Sequence, residues 1–314
     1  MATSQQAGTQ TIATTGTPAR RRVNFVPYLF ILPHLIFFTA FLAYPFFYGI
    51  YISLFNFDFL RPEFRPFVGL QNYNNILFNR NSVQFTDFWS AIGNTAQFIL
   101  YSVPFLVIFA LLLAVLLNGN YRGRNVFRGL YFAPYALSVT VAAVLWRWIF
   151  ENGGLLDTYL TRIGLPPLGG LGAQPGAWIG ITVATIWWTI GFNTVIFLAA
   201  LQEIPESLYE AASLDGANKV QQFFRITIPM LRPVLVFVIT IALLASANLF
   251  GQPHIMTGVQ SRVVGTESIV QRIYDEGIIQ YRMGSAAAMS VSVAAVLLLL
   301  TTLNFRIFGR GEQQ

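Results

Sequence analysis

Six stretches of this chain are apolar over lengths that reach or exceed a membrane crossing: residues 26–55, 91–117, 126–150, 178–201, 233–250 and 284–308. A helix needs about 20 mostly apolar residues to cross the hydrocarbon core of a bilayer. The expected fold class is therefore all-α, a polytopic membrane protein with six transmembrane helices. Composition agrees: of 314 residues 55% are hydrophobic, 15% aromatic and only 10% charged, whereas a soluble domain carries about a quarter charged residues. Charge is sparse where burial in lipid makes it expensive. Arg147, between Trp146 and Trp148, reads as an arginine snorkelling from an interfacial aromatic belt.

The connectors set the topology. With a cytoplasmic N-terminus, the tail, 118–125, 202–232 and the C-terminal end share one side. That side holds eleven basic residues against five acids, a net of +6, and the opposite side has eight of each. The Lys/Arg bias places the first side, and both termini, in the cytoplasm. Residues 1–23 are expected to form a disordered tail: the first nineteen are Ser/Thr/Gln/Gly/Ala-rich, and "RRR" at 20–22 closes it. The apolar run that follows is too long for a cleaved signal peptide. Residues 24–310 form the membrane domain and 311–314 a short C-terminal tail. The outer connectors are 56–90, 151–177 and 251–283. The second is a turn-rich loop around "GLPPLGGLGAQPG", and "QRIYDEGIIQYRMG" in the third is long enough for a short helix at the surface. No fixed-period repeat is visible.

Much chemistry is excluded. There is no cysteine, hence no disulfide, thiolate site or cysteine nucleophile. His34 and His254, the two histidines, are far apart. Asp275 and Glu276 are adjacent and would not face each other on a helix, and Asp58 and Glu63 read as solvated surface. No metal spacing appears, and Lys219, the lone lysine, follows no phosphate-binding glycine run. The chain cannot hydrolyse ATP by itself. The apolar runs contain no acid, which counts against a self-sufficient proton-coupled carrier. Net charge +6 does not signal nucleic acid, because the basic residues form no stripe.

One polar insert stands out in the 202–232 connector: "EAASLDGANKVQQFFRITIPM", residues 210–230. Pro205 and Glu206 suit a helix start, Leu208, Ala211, Ala212 and Leu214 follow at helical spacing, and Gly216 can end the helix in a left-handed turn. A second short segment, 218–226, follows, and Pro229 is expected to stop it before the fifth membrane helix. Ala211 and Ala212 allow close approach by another surface, and Glu210 offers a carboxylate to an arginine. An amphipathic linker resting on headgroups, through Phe223 and Phe224, is an equal reading of the same residues.

Glu210-Ala211-Ala212, three residues, Gly216, nine residues, then Ile226-Thr227-Ile228-Pro229 resembles the "EAA" motif of ABC-importer permeases, EAA-x3-G-x9-I-x-L-P. Ile228 replaces the motif's leucine. Further stretches, "FVGLQNYNNIL" at 67–77, "NTAQFIL" at 94–100, 199–217 and "YRMGSAAAMSV" at 281–291, resemble the binding-protein-dependent sugar permeases, in particular first subunits of the maltose and glycerol 3-phosphate type. The chain is without the extra N-terminal helices and large outer domain of some maltose subunits, which sets it nearer the shorter members. The resemblance implies the ABC type I importer permease fold in a bacterial or archaeal cytoplasmic membrane. It implies a second homologous permease, two ATPase subunits carrying ATP and Mg, and an extracytoplasmic solute-binding protein as partners, and no cofactor on this chain. It implies that Glu210, Ala211, Ala212, Ser213, Leu214, Asp215 and Gly216 form a cytoplasmic coupling helix, with Glu210 on an ATPase arginine.

The implied solute is a carbohydrate: an oligosaccharide, a polyol or glycerol 3-phosphate. A permease for a non-sugar solute and a membrane-embedded enzyme are the alternative readings. Polar and aromatic groups inside apolar helices are pathway candidates: Trp188 and Asn193 in the fourth, Ser246 and Asn248 in the fifth. Each could equally serve helix–helix hydrogen bonding.

Overall fold

The computed structural model of the chain describes residues 26–61, 63–119, 122–167 and 169–308. The tails expected at 1–23 and 311–314 lie outside the described residues. The chain divides into two compact units, residues 1–48 and 49–314, and each is described by itself.

The first unit contributes most of α1, Leu29–Ile52. Its large apolar side chains are exposed, as suits a helix whose solvent is hydrocarbon, and its backbone groups are paired within the helix. Pro45 has no N–H to donate. The turn before it, Thr39–Ala43, is a π-helix in which Tyr44 N donates to Thr39 O.

The second unit contains α2 (Val83–Asn118), α3 (Arg124–Ala136), α4 (Val139–Phe150), α5 (Gly176–Gln202), α6 (Glu206–Leu214), α7 (Arg232–Ala247) and α8 (Met283–Phe308). Among the described residues there are no strands, only isolated bridges, Phe55 with Phe67 and Asp58 with Arg282. Together with α1, helices α2, α5, α7 (continued by Gly251–Met256) and α8 are long and apolar enough to span a membrane. The expected third span is not straight. Arg124–Ala136 and Val139–Arg162 are bent by 98°, because the chain stops and restarts at Ser138, whose hydroxyl caps α4 by accepting from Val141 N at 3.3 Å.

Helix α2 is the spine of the second unit. It begins at residue 83, before the expected 91, because Ser82 caps it, accepting from Gln84 N at 3.2 Å. The apolar run alone gave no sign of those first polar turns, which carry Asp87. Three buried clusters are strung along α2. Near its start Ile76, Phe88, Ala91, Ile269 and Met289 meet. At its middle Phe98 joins Ala143, Trp178, Ile181 and Leu249. Toward its end Val103, Leu106, Ala110 and Ala114 pack on Phe197, Leu201, Leu231 and Val238. Lipid tails are as apolar as leucine, so close van der Waals packing between small residues holds these helices together. The interhelical hydrogen bond between Ser102 and Ser246, 3.3 Å long, is the kind that contributes only about 0.6 kcal/mol, so packing decides.

Gly191 is where α5 admits the bend. A Cβ there would fall on the Tyr131 carbonyl oxygen and 2.8 Å from Phe132 Cα. Backbone cannot yield as a side-chain tip can. Gly191→Val should therefore destabilise the detergent-purified chain by about 1–3 kcal/mol or more. Gly129→Ala, with nothing within 4 Å of the added atom, should leave the thermal midpoint unchanged or raise it. Equal midpoints for both variants would contradict the packing described.

Candidate functional site

Two sites emerge, one on the polar connector and one between the helices above it. The connector folds as a helix clamped to the foot of α7. Helix α6 starts behind Pro205 with Glu206 in its first turn. It ends in a Schellman turn: Ala217 N donates to Ala212 O at 2.8 Å, Gly216 N donates to Ser213 O at 3.1 Å, and Gly216 has φ +83°. Asn218 and Gln221 then form a reciprocal capping box, both bonds 2.8 Å. The helical path continues from Lys219 through a π-turn at Phe223–Thr227 into Ile228–Met230 and α7. Pro229 does not stop it, contrary to expectation. The π-turn shifts Ile228 N onto Phe223 O, and Pro229 sits in the first turn of the next segment, where it needs no donor.

Buried Gln222 holds α6 down. Its Nε2 donates to Ser213 Oγ at 2.8 Å and reaches the Tyr209 and Ala217 carbonyls at 3.4 Å. Tyr209 OH and Thr227 Oγ1 are 2.9 Å apart. The opposite face of α6 is open. Glu210, Ala211, Ser213, Asp215 and Gly216 are exposed, Ala212 is half-buried, and Leu214 is 90% exposed. Among the described residues Glu210 makes no ion pair. Leu208, Val220 and Phe224 are exposed as well, so an apolar surface flanked by exposed carboxylates, Glu210 among them, projects from a rigid base. The sequence marked the projecting residues; it did not mark Tyr209, Gln222 and Thr227, whose partners lie 18, 13 and 9 positions apart.

Trp188, Asn193, Ser246 and Asn248 all line one cavity of about 400 Å³ between α2, α5 and α7, within the size range of ligand pockets. Some of their polar atoms are spoken for. Trp188 Nε1 donates to Leu137 O at 3.0 Å, Asn193 Nδ2 to Thr189 O at 3.1 Å and Asn248 Nδ2 to Leu244 O at 2.8 Å. Asn193, only 4% exposed, keeps its Oδ1 without a hydrogen-bond partner. Tyr135 lies between Trp188 and Phe192, ring centres 6.2 and 4.9 Å away, and Phe250 and Gln252 complete the lining. Aromatic faces and amide groups thus meet in one space. A larger groove of about 740 Å³ opens between α2 and α5. Its walls are Phe105, Phe109, Ile179, Val183 and Ile186, with amides Asn94, Gln97 and Gln174 at one end, so it offers a polar solute fewer partners along its length.

Next to this cavity lies an ion-pair network that the sequence did not reveal. The third outer connector was expected to lie at the surface, yet Ile269, Gln271, Arg272, Glu276 and Gly277 in its helix and π-turn are buried, leaving Ile278 and Ile279 exposed. Arg272 pairs with Glu276 and lies 3.2 Å from Asp87 and 3.9 Å from Glu267; Arg262 pairs with Asp87 and, at 3.1 Å, with Glu267. Arg147, by contrast, is exposed and donates to Ile255 O at 3.3 Å. No group of three His, Cys or carboxylate side chains that could hold a metal exists among the described residues.

The description "binding-protein-dependent transport system inner membrane component" matches residues 89–311 of the chain. Among curated relatives, the arabinooligosaccharides transport system permease protein AraP of Halalkalibacterium halodurans is 34% identical, covering 92% of this chain and 90% of its own. The sn-glycerol-3-phosphate transport system permease protein UgpA of Agrobacterium fabrum is 32% identical, covering 90% and 94%. The probable ABC transporter permease protein YurN of Bacillus subtilis is 30% identical, covering 93% and 98%. In a solved bacterial alginate ABC transporter in complex with an alginate pentasaccharide-bound periplasmic protein, one chain superposes with a TM-score of 0.78 at 23% identity, covering 92% of this chain and 96% of that one.

Burial pushes the Glu267 carboxyl up to about 7, against the pull of Arg262 and Arg272 and with added repulsion from Asp275 and Asp87. Because its folded value lies above the ordinary 4.5, its contribution to stability is fully present below 4.5 and is lost as pH rises through about 7. Between about pH 5 and pH 8 the wild type should lose thermal stability relative to Glu267→Gln, which cannot ionise. Parallel pH profiles would contradict this assignment.

Proposed function

The chain belongs to the family of inner membrane components of binding-protein-dependent transport systems, and from that premise we propose that it forms half of the pathway of an ATP-driven carbohydrate importer. The other half is a second homologous permease. Two ATPase subunits dock on the cytoplasmic side, and an extracytoplasmic binding protein delivers the solute. Both termini are cytoplasmic, as the basic connectors require.

The observation that carries the coupling role is the clamped, outward-facing helix α6. Its Schellman end, the capping box that starts the segment after it and the Gln222 and Tyr209 anchors make it a short rigid lever. Exposed Leu214 and unpaired Glu210 supply what a docking cleft with an arginine would bind. A pull on α6 reaches the π-turn ahead of α7 at Thr227, four residues before Leu231, which is buried in the cluster shared by α2, α5 and α7. Closure of the ATPase dimer on ATP would thereby rock the spans between inward- and outward-facing states. Trp188, Asn193, Ser246 and Asn248 line the pathway, where aromatic faces stack on sugar rings and the amide and hydroxyl groups along the lining offer hydrogen bonds. The named solutes of the relatives, arabinooligosaccharides and sn-glycerol 3-phosphate, support the oligosaccharide, polyol or glycerol 3-phosphate class.

In the complete reconstituted transporter, Glu210→Lys and Gly216→Pro should each leave the chain inserted yet abolish solute-stimulated ATP hydrolysis and uptake. Normal uptake by both variants would refute the coupling role. Purified binding protein should bind a sugar, polyol or glycerol 3-phosphate; binding only amino acids or inorganic phosphate would refute the carbohydrate class.

A further inference from the structure

The network around Arg272 is more than a fastening. Arg272 is 1% exposed and Glu276 0%, and a buried ion pair repays its desolvation only when its remaining valences are satisfied. Here they are not. Arg272 Nε and Nη1, Glu267 Oε1 and Glu276 Oε1 are all sealed from solvent without a hydrogen-bond partner. The guanidinium hydrogen-bonds Glu276 through Nη2, while Nη1 is already in ion-pair range of Asp87 and Glu267 without an aligned hydrogen bond to either. Arg262 bridges those two, and Arg282 reaches Glu276 at 3.6 Å.

The backbone around it is irregular in the same place. Glu276 sits in a π-turn, a local geometry frequent at functional sites. Tyr281, a non-glycine residue, has φ +60°, a sparsely populated conformation. The segment also leads directly to the cavity. Tyr274 packs on Phe250 and His254, ring centres 5.3 and 5.7 Å apart, and Phe250 lines the space that holds Asn193 and Ser246. Ser268, at the start of the segment, donates to Leu249 O.

We propose that Arg272 is a positioning residue for transport: it sets the wall of the cavity through Tyr274 and Phe250, and exchanges Glu276 for the Asp87–Glu267 pair as the pathway opens and closes. The inference rests on reading the chain as an import permease. Two carboxylate sets within reach of one arginine give the segment two discrete arrangements, the requirement for a switching element. A neutral replacement of a pure fastening would be tolerated, whereas an exchange needs the bidentate charge.

The test uses the complete transporter in liposomes, with wild-type uptake of the solute as the control for the functional reading itself. The double variant Arg272→Met with Glu276→Gln and the single variant Arg272→Lys should assemble with the partner subunits. Each should lower the maximal uptake rate by roughly ten-fold, with the half-saturating solute concentration changed by less than about two-fold. Spin labels on Trp89→Cys and Ile279→Cys, exposed positions in α2 and the segment, should give different distances in nucleotide-free and ATP-trapped wild type, and one distance in Arg272→Lys. If the double variant does not assemble, Arg272→Lys and the wild-type distances decide. Uptake within about two-fold of wild type in either variant, or an unchanged wild-type distance, would overturn the inference. A wild type that imports no solute would instead count against the functional reading.

Discussion

Hydrocarbon offers no hydrogen bonds, and that constraint orders everything else in this chain. Backbone groups at membrane depth must be paired internally, so the apolar runs are helices. Exceptions to straight helix lie where proline withholds a donor or a side chain caps a new start: Pro45 behind the π-turn at Thr39–Ala43, Ser138 at the bend between α3 and α4, Pro229 behind the π-turn at Phe223–Thr227. Because burial in lipid drives nothing between two oily helices, shape does. Fully buried Ala91, Ala110 and Ala114 let neighbours approach α2, and Gly191 admits the backbone of the bend.

The same constraint gives the polar groups their meaning. Outside the hydrocarbon, α6 can keep Glu210 unpaired and Leu214 bare because a partner surface, not lipid, is to cover them in the proposed assembly. Between the spans, polar side chains collect around one cavity, and several of them also bond backbone carbonyls. On the other side of that cavity a buried set of charges holds the connector after α7. The second unit therefore has a clamped helix on the 202–232 connector, a packed column around α2 and a buried ion-pair network on the connector after α7.

The spans were legible because periodicity and length suffice to find them, and α6 was legible because Pro205, Glu206 and Gly216 mark its ends. The resemblance carried by Glu210 through Pro229 agrees with the family to which the chain belongs. The ionic network was not legible. Asp87 and Arg262 are 175 positions apart, and each alone looks like a solvated charge in a loop; only the fold shows that Arg272 and Glu276 turn inward. The start of α2 was missed for a similar reason, since its first turns are polar and rely on Ser82. The π-turns leave no trace in a hydrophobic period, so Pro229 read as a stop. Trp188, Asn193, Ser246 and Asn248 line one cavity, and all four also make backbone or helix–helix bonds, through Leu137, Thr189, Ser102 and Leu244.

The central claim is that α6 faces the cytoplasm and is covered there by an ATPase. Since the chain contains no cysteine, Leu214→Cys gives a single reporter at a highly exposed point of that helix. A membrane-impermeant maleimide applied to vesicles of each orientation reads its side. The account predicts labelling only in inside-out vesicles, and protection when the ATPase subunits are bound. Labelling of right-side-out vesicles, or labelling from inside that bound ATPase does not slow, would contradict it.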